Sequence, residues 1–140
     1  MPLIRFDILE GRTEEQIRHM LAASHRAMLK AFNVPDRDRY QVVTEHKSFH
    51  MVVQDTGLDI PRTNDVVLVS VFTRPRTEQE KLTFYRELCD ELHRSCNIAP
   101  EDVVISLVSN TDADWSFGMG RAQFITNELP GSDLPFAHLE

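Results

Sequence analysis

The chain has 140 residues, 41% of them hydrophobic, enough for one domain with an ordinary core. Its 22 acidic and 15 basic residues give a formal charge of −7, and no segment gathers enough Lys and Arg to reverse that locally, so neither nucleic acid nor an anionic membrane is an expected partner. No apolar run approaches the ~20 residues of a membrane span, and the start Met1-Pro2-Leu3-Ile4-Arg5 lacks the features of an export signal, so a cytoplasmic protein is expected.

From Leu3 to Leu9 apolar residues (Leu3, Ile4, Phe6, Ile8) alternate with Arg5 and Asp7, with some slippage at the start, as in a half-buried strand. Thr13 then opens a helix, and Gln16 three residues on completes a capping box. Ile17, Met20, Leu21, Ser24, Ala27, Met28, Ala31 and Phe32 form its apolar stripe. Asn33 suits a left-handed stop, and Pro35 forbids continuation. Tyr40 to Thr44 reads as a second strand, and Met51 to Thr63, with Gly57 and Pro61, as a loop with at most one short strand. The β-branched run from Val66 to Thr73 has the composition of a central strand. Thr77 and Glu80 cap a second helix with a stripe of Leu82, Tyr85, Leu88, Cys89 and Leu92, ended by Asn97. Val103 to Val108 is the last long strand, Ser109-Asn110-Thr111-Asp112 a turn, and the tail from Leu129 an oligomer-wrapping arm or a disordered end.

The layout is a duplication. Arg12-Thr13-Glu14-Glu15-Gln16 is echoed 64 positions later by Arg76-Thr77-Glu78-Gln79-Glu80, and Asn33 and Val34 by Asn97 and Ile98, with Pro35 and Pro100 following at 65. The expected architecture is α/β (α+β), one domain over 1–140, with repeats 2–64 and 65–128 and a tail 129–140. Each strand–helix–strand unit implies a parallel pair with a right-handed crossover. Two units make a four-stranded sheet with two helices on one face. The other face is expected to be apolar and uncovered, which predicts a homo-oligomer whose sheets pack together.

At the repeat offset Val66 aligns with Pro2, and only Pro2 can present a secondary amine, once Met1 is removed. Excision is expected because proline is small, although a proline opening a strand also has a purely structural reading, since it need not donate to the ladder there. Asp38 lies just before the strand parallel to that of Pro2, which puts its carboxylate in reach of the amine; Asp36 reads as a turn residue. Arg74 and Arg76 flank Pro75, which keeps Arg74 extended, so both guanidinium groups are expected on one side as a carboxylate clamp. Arg76 precedes a helix N-terminus that is already positive, which hints at an anion. Trp115 and Phe117, ahead of Gly118 and Gly120, either wall a pocket or serve as core or oligomer contacts. Cys89 and Cys96 lie roughly 10 Å apart along one helix and are expected as reduced packing thiols. His46 and His50 do not converge at strand spacing, so no metal site is expected.

Pro2, Asp38, Arg74-Pro75-Arg76 and Asp114-Trp115-Ser116-Phe117-Gly118 together resemble the malonate semialdehyde decarboxylases of the tautomerase superfamily. The similarity extends through Phe6-Asp7, Glu10-Gly11-Arg12-Thr13, Asp38-Arg39-Tyr40-Gln41, Asp55-Thr56-Gly57-Leu58 and Gly120-Arg121-Ala122, nearly the whole chain. The resemblance implies a duplicated β-α-β fold, a homotrimer and a cofactor-free enzyme. In it Pro2 is the catalytic amine, Asp38 its carboxylate partner, Arg74 and Arg76 the clamp, and Trp115 and Phe117 the apolar wall. The implied reaction decarboxylates a small carboxylate-bearing 3-oxo acid to an aldehyde and carbon dioxide. Alternatives are a tautomerase of phenylpyruvate or a 2-hydroxydienoate, a hydratase of an unsaturated acid, or a non-catalytic binding trimer. The segment His46-Lys47-Ser48-Phe49-His50 and the tail from Leu129 depart from the family pattern. An α-amino group titrates near ~8; arginines and apolar walls favour the neutral base, and a close Asp38 the ammonium form.

Overall fold

Thr13 and Thr77 start the two helices in the same way. Each side chain accepts from the backbone N–H three residues on, and Gln16 or Glu80 reaches back to the threonine N–H. Both helices end on an asparagine in the left-handed region, Asn33 at φ 49° and Asn97 at φ 54°. The computed structural model describes residues 2–129. In chain order it contains β1 (Leu3–Leu9), α1 (Glu14–Phe32), β2 (Tyr40–His46), β3 (Val67–Thr73), α2 (Glu78–Cys96) and β4 (Val103–Ser109). Short 3₁₀ turns occupy Ser48–His50, Pro100–Asp102 and Asp112–Asp114. Strands β1 and β3, and helices α1 and α2, are equal in length and 64 residues apart, so the faint sequence repeat is a repeat of structure.

The strands lie in the order β2-β1-β3-β4, parallel within each unit and antiparallel where β1 meets β3. Ile4, Phe6 and Ile8 of β1 stand opposite Val71, Val69 and Val67 of β3. These six pack against Met20, Ala27, Met28 and Phe32 of α1 and Phe84, Leu88 and Leu92 of α2, which puts both helices on one face. The buried positions of the helices also keep the repeat: Met20, Ser24, Ala27 and Met28 are answered by Phe84, Leu88, Glu91 and Leu92. Leu82, expected in the stripe of α2, is instead 49% exposed, and Phe84 takes the core position. The segment between β2 and β3 carries no strand among the described residues. Among the described residues no helix is long and apolar enough to cross a membrane. Of the predicted tail, residues 130–140 lie outside the described range.

The face away from the helices is not uniformly apolar, contrary to expectation. Across the sheet, Tyr40, Leu3, Phe72 and Val108 form an apolar row beside the start of β1. The next row is Val42, Arg5, Ser70 and Ser106, and further along His46 pairs with Asp7 at 2.7 Å. In β1, Leu3 and Ile4 are both apolar but face opposite sides, and the next outward positions are Arg5 and Asp7.

Glu91 is a carboxylate on the buried stripe of α2, only 3% exposed. It accepts from Arg26 Nε at 3.0 Å, Lys30 Nζ at 3.3 Å and Arg94 Nη2 at 2.8 Å, tying α2 to α1. Burial pushes its pKa up, but the hydrogen bonds from Arg26 and Lys30 outweigh that and hold it below the usual 4.5. A depressed carboxylate contributes stability above its unfolded pKa and loses it as pH falls through the folded value. Glu91→Gln is therefore expected to cost about 1–2 kcal/mol at neutral pH, since its cationic partners are half in water. The gap to wild type should close in acid, below about pH 4; thermal melts across that range check it.

Candidate active site

Topology alone brings three segments to the end of the sheet where β1 begins. Pro2 is buried and leads into Leu3, which stands between Tyr40 of β2 and Phe72 of β3. Asp38 comes two residues before Tyr40, and Arg74 two after Phe72. Asp38 is only 7% exposed, and its N–H donates to the Pro35 carbonyl at 2.9 Å. That turn is fastened to α1 by His25, whose Nε2 lies 2.7 Å from the Asp36 carbonyl oxygen. A carbonyl can only accept, so Nε2 carries the proton there.

The two arginines sit on different anchors. Arg74 is 5% exposed; its Nε donates to Asp112 Oδ1 at 2.6 Å, and its Cζ lies 3.8 Å from the centre of the Phe124 ring. Arg76 turns to the end of α1: Nε donates to Thr73 Oγ1 at 3.0 Å, Nη1 to the Phe32 carbonyl at 3.2 Å, and Cζ lies 4.6 Å over the Phe32 ring. Strand alternation stops at Thr73, so two-residue spacing no longer dictates a shared side. The position of Arg76 also needs no bound anion to offset the N-terminus of α2. The C-terminal carbonyl end of α1 supplies the compensating negative potential.

Trp115 and Phe117 stack with centroids 5.3 Å apart and planes 11° from parallel. Phe117 also meets Tyr40 at 5.9 Å and the edge of Phe124 at 5.4 Å. The aromatic group thus links the start of β2 to the anchor of Arg74. Its backbone is fixed: Trp115 Nε1 donates to Asn110 Oδ1 at 2.6 Å, and the Asn110 N–H to the Thr73 carbonyl at 2.8 Å. Gln123 spans the following turn, accepting from the Phe117 N–H at 2.9 Å and donating to the Gly118 carbonyl at 2.8 Å. Gly118 has φ 125°, which a side chain would strain, so this glycine serves a tight turn rather than a flexible hinge. Asp114 caps the turn through the Thr111 N–H and hydroxyl, and those bonds hold its pKa below the ordinary value.

Sequence reasoning missed Tyr40, Phe124 and Asp112 at this end. Tyr40 was visible as the first residue of a strand beside Pro2, whereas nothing in the spacing pointed to Phe124 or Asp112. The other candidates lie elsewhere. His46 is held by Asp7, and Arg121 pairs with Glu128 at 2.9 Å. Cys89 and Cys96 are free half-buried thiols; burial pushes both up, with Asp90 adding at Cys89 and Arg26 and Arg12 opposing at Cys96. A cavity of about 620 Å³ opens at the opposite end of the sheet, lined by Leu9, Arg12, Arg94 and Cys96 among others. Its guanidinium groups are already engaged, Arg12 by the Asp65 carbonyl and Arg94 by Glu91.

Two family models, both described as tautomerase enzyme, match residues 38–118 and 2–59. A probable tautomerase of Bacillus subtilis (strain 168), YrdN, is 46% identical over 92% of this chain and 100% of its own. A malonate semialdehyde decarboxylase, solved as a structural basis for decarboxylase and hydratase activities, is 51% identical with a TM-score of 0.89, covering 91% of this chain and 98% of that one. A second one, inhibited by 3-bromopropiolate, is 36% identical with a TM-score of 0.87 over the same shares. A fused 4-OT at 13% identity and TM-score 0.72, matched over 89% of this chain and 98% of its own, shares the fold and was solved as an asymmetric trimer. With its duplicated β-α-β fold and these matches along nearly its full length, the chain belongs to the tautomerase enzyme family.

Proposed function

We propose that this chain is a cofactor-free decarboxylase of small 3-oxo acids such as malonate semialdehyde, working as a cytoplasmic homotrimer through the amine of Pro2 after loss of Met1. One observation carries the reading: Pro2, Asp38, Arg74 and the Trp115–Phe117 stack, on which the decarboxylase resemblance rests, come together at one end of the sheet. The apolar row Tyr40, Leu3, Phe72 and Val108 on the open face supports assembly with further copies.

In this mechanism the buried Asp38 carboxylate favours the ammonium form of Pro2. The ammonium polarises the 3-oxo oxygen while Arg74 and Arg76 hold the carboxylate against the aromatic wall. The bond to the carboxylate carbon breaks as carbon dioxide leaves, its electron pair passes through a new C=C bond onto the carbonyl oxygen, and that oxygen takes the Pro2 proton to give an enol. Proton return to carbon gives the aldehyde. The substrate supplies all the electrons, so no oxidant or reductant takes part. The test is carbon dioxide and acetaldehyde release from malonate semialdehyde by protein whose intact mass lacks Met1. No release, with turnover of phenylpyruvate enol, would favour the second reading, a tautomerase, which the name of the Bacillus relative supports. No turnover of any 2- or 3-oxo acid would favour a binding trimer.

Within this reading Arg76→Ala is expected to raise KM about tenfold or more with a smaller change in kcat, because the contact is made to the ground-state carboxylate, whose charge is lost as carbon dioxide forms. Steady-state kinetics check it, with a thermal melt to separate loss of the Phe32 anchor.

A further inference from the structure

Arg74 is held from two directions, and only one of its edges is left for a ligand. Asp112 takes the Nε–H at 2.6 Å, and the Phe124 ring covers the guanidinium plane at 3.8 Å. Among the described residues the Nε–H is the one Arg74 donor with a hydrogen-bond acceptor, so the terminal Nη1/Nη2 edge remains for an end-on carboxylate. Asp112 belongs to the 3₁₀ turn that leads directly into Trp115, and that turn is pinned to the end of β3 through Asn110 and Thr73. The part that aims the cation and the part that walls the site are thus one rigid turn.

Asp112 also changes the charge a ligand meets. Arg74 and Arg76 contribute two positive charges at this end of the sheet, and Asp112 and Asp38 contribute two negative ones. The net charge of these four side chains is then zero, and the amine adds one positive charge. A ligand with one carboxylate suits that balance, and a second carboxylate would find no net positive charge left to offset it. We propose that Asp112 is a positioning residue for Arg74 that restricts the site to monocarboxylates. The inference rests on the clamp reading above, and not on which reaction follows.

Propionate and malonate, similar in size and different by one carboxylate, are the probes. Trp115 is the single tryptophan and lies in the wall, so its fluorescence reports binding without turnover. Wild type is expected to bind propionate more tightly than malonate. Asp112→Asn keeps an acceptor for Nε and removes the charge, so malonate should bind about tenfold more tightly while propionate changes less than about threefold. Asp112→Ala removes the acceptor too, and propionate should weaken about tenfold. Melting temperatures check that both variants fold, and the wild-type preference is itself a test that needs no variant. A wild type that prefers malonate, an unchanged malonate-to-propionate ratio in Asp112→Asn, or binding of neither acid by wild type overturns the proposal. If these differences appear but malonate semialdehyde yields no carbon dioxide, the decarboxylase reading falls and this one stands.

Discussion

Pro2→Ala is expected to lower carbon dioxide release from malonate semialdehyde by about 10²–10⁴-fold, the usual worth of a positioned proton-transfer group, and to leave oligomer size and melting temperature near those of wild type. Alanine is also small, so removal of Met1 should proceed and the variant should still expose an amine. What changes is the amine itself, from a ring-fixed secondary nitrogen to a mobile primary one. Pro2 precedes the first ladder pair of β1, so substitution leaves the pairing of Leu3 with Tyr40 and Phe72 untouched. The loss should therefore appear in kcat, with binding of a simple carboxylate preserved. A variant that keeps wild-type turnover would remove the amine from the mechanism. Intact mass is measured alongside, since retained Met1 would produce the same loss for a trivial reason.

The elements fixed by local chemistry were legible in advance. Thr13 with Gln16, Thr77 with Glu80, and the stops at Asn33 and Asn97 each depend on a few adjacent residues, and each stands where the sequence places it. The duplication was legible because its marks are those same caps. What depends on long-range contact was not. Arg74 and Arg76 look like a matched pair in the chain, yet one is fixed by Asp112 and Phe124, far along the sequence, and the other by the last turn of α1. No periodicity encodes that choice. Alternation in the first strand already set Arg5 and Asp7 opposite Ile4, Phe6 and Ile8, but that Ser70 stands beside Arg5 on the open face is given only by strand register.

The same limit sets the second large effect. Phe84→Ala is expected to cost about 3–5 kcal/mol, whereas Leu82→Ala should cost under about 1 kcal/mol. In α2 a charged residue, Glu91, occupies the buried stripe and an apolar one, Leu82, lies outside it, so apolar spacing, right at Leu88 and Leu92, chooses the wrong first residue of the stripe. Register with the first repeat points to the right one: Phe84 answers Met20 and is fully buried. Its ring stacks on Phe32 at 5.0 Å, and Phe32 in turn lies under the Arg76 guanidinium. Truncation at 84 removes the support of the ring beneath Arg76 as well as core volume. Phe84→Leu, which refills much of the space, should recover most of the stability. Chemical denaturation of the three variants decides the matter: equal losses at positions 82 and 84 would mean that α2 presents a different face to the sheet, and with it that Arg76 is held by something other than the end of α1.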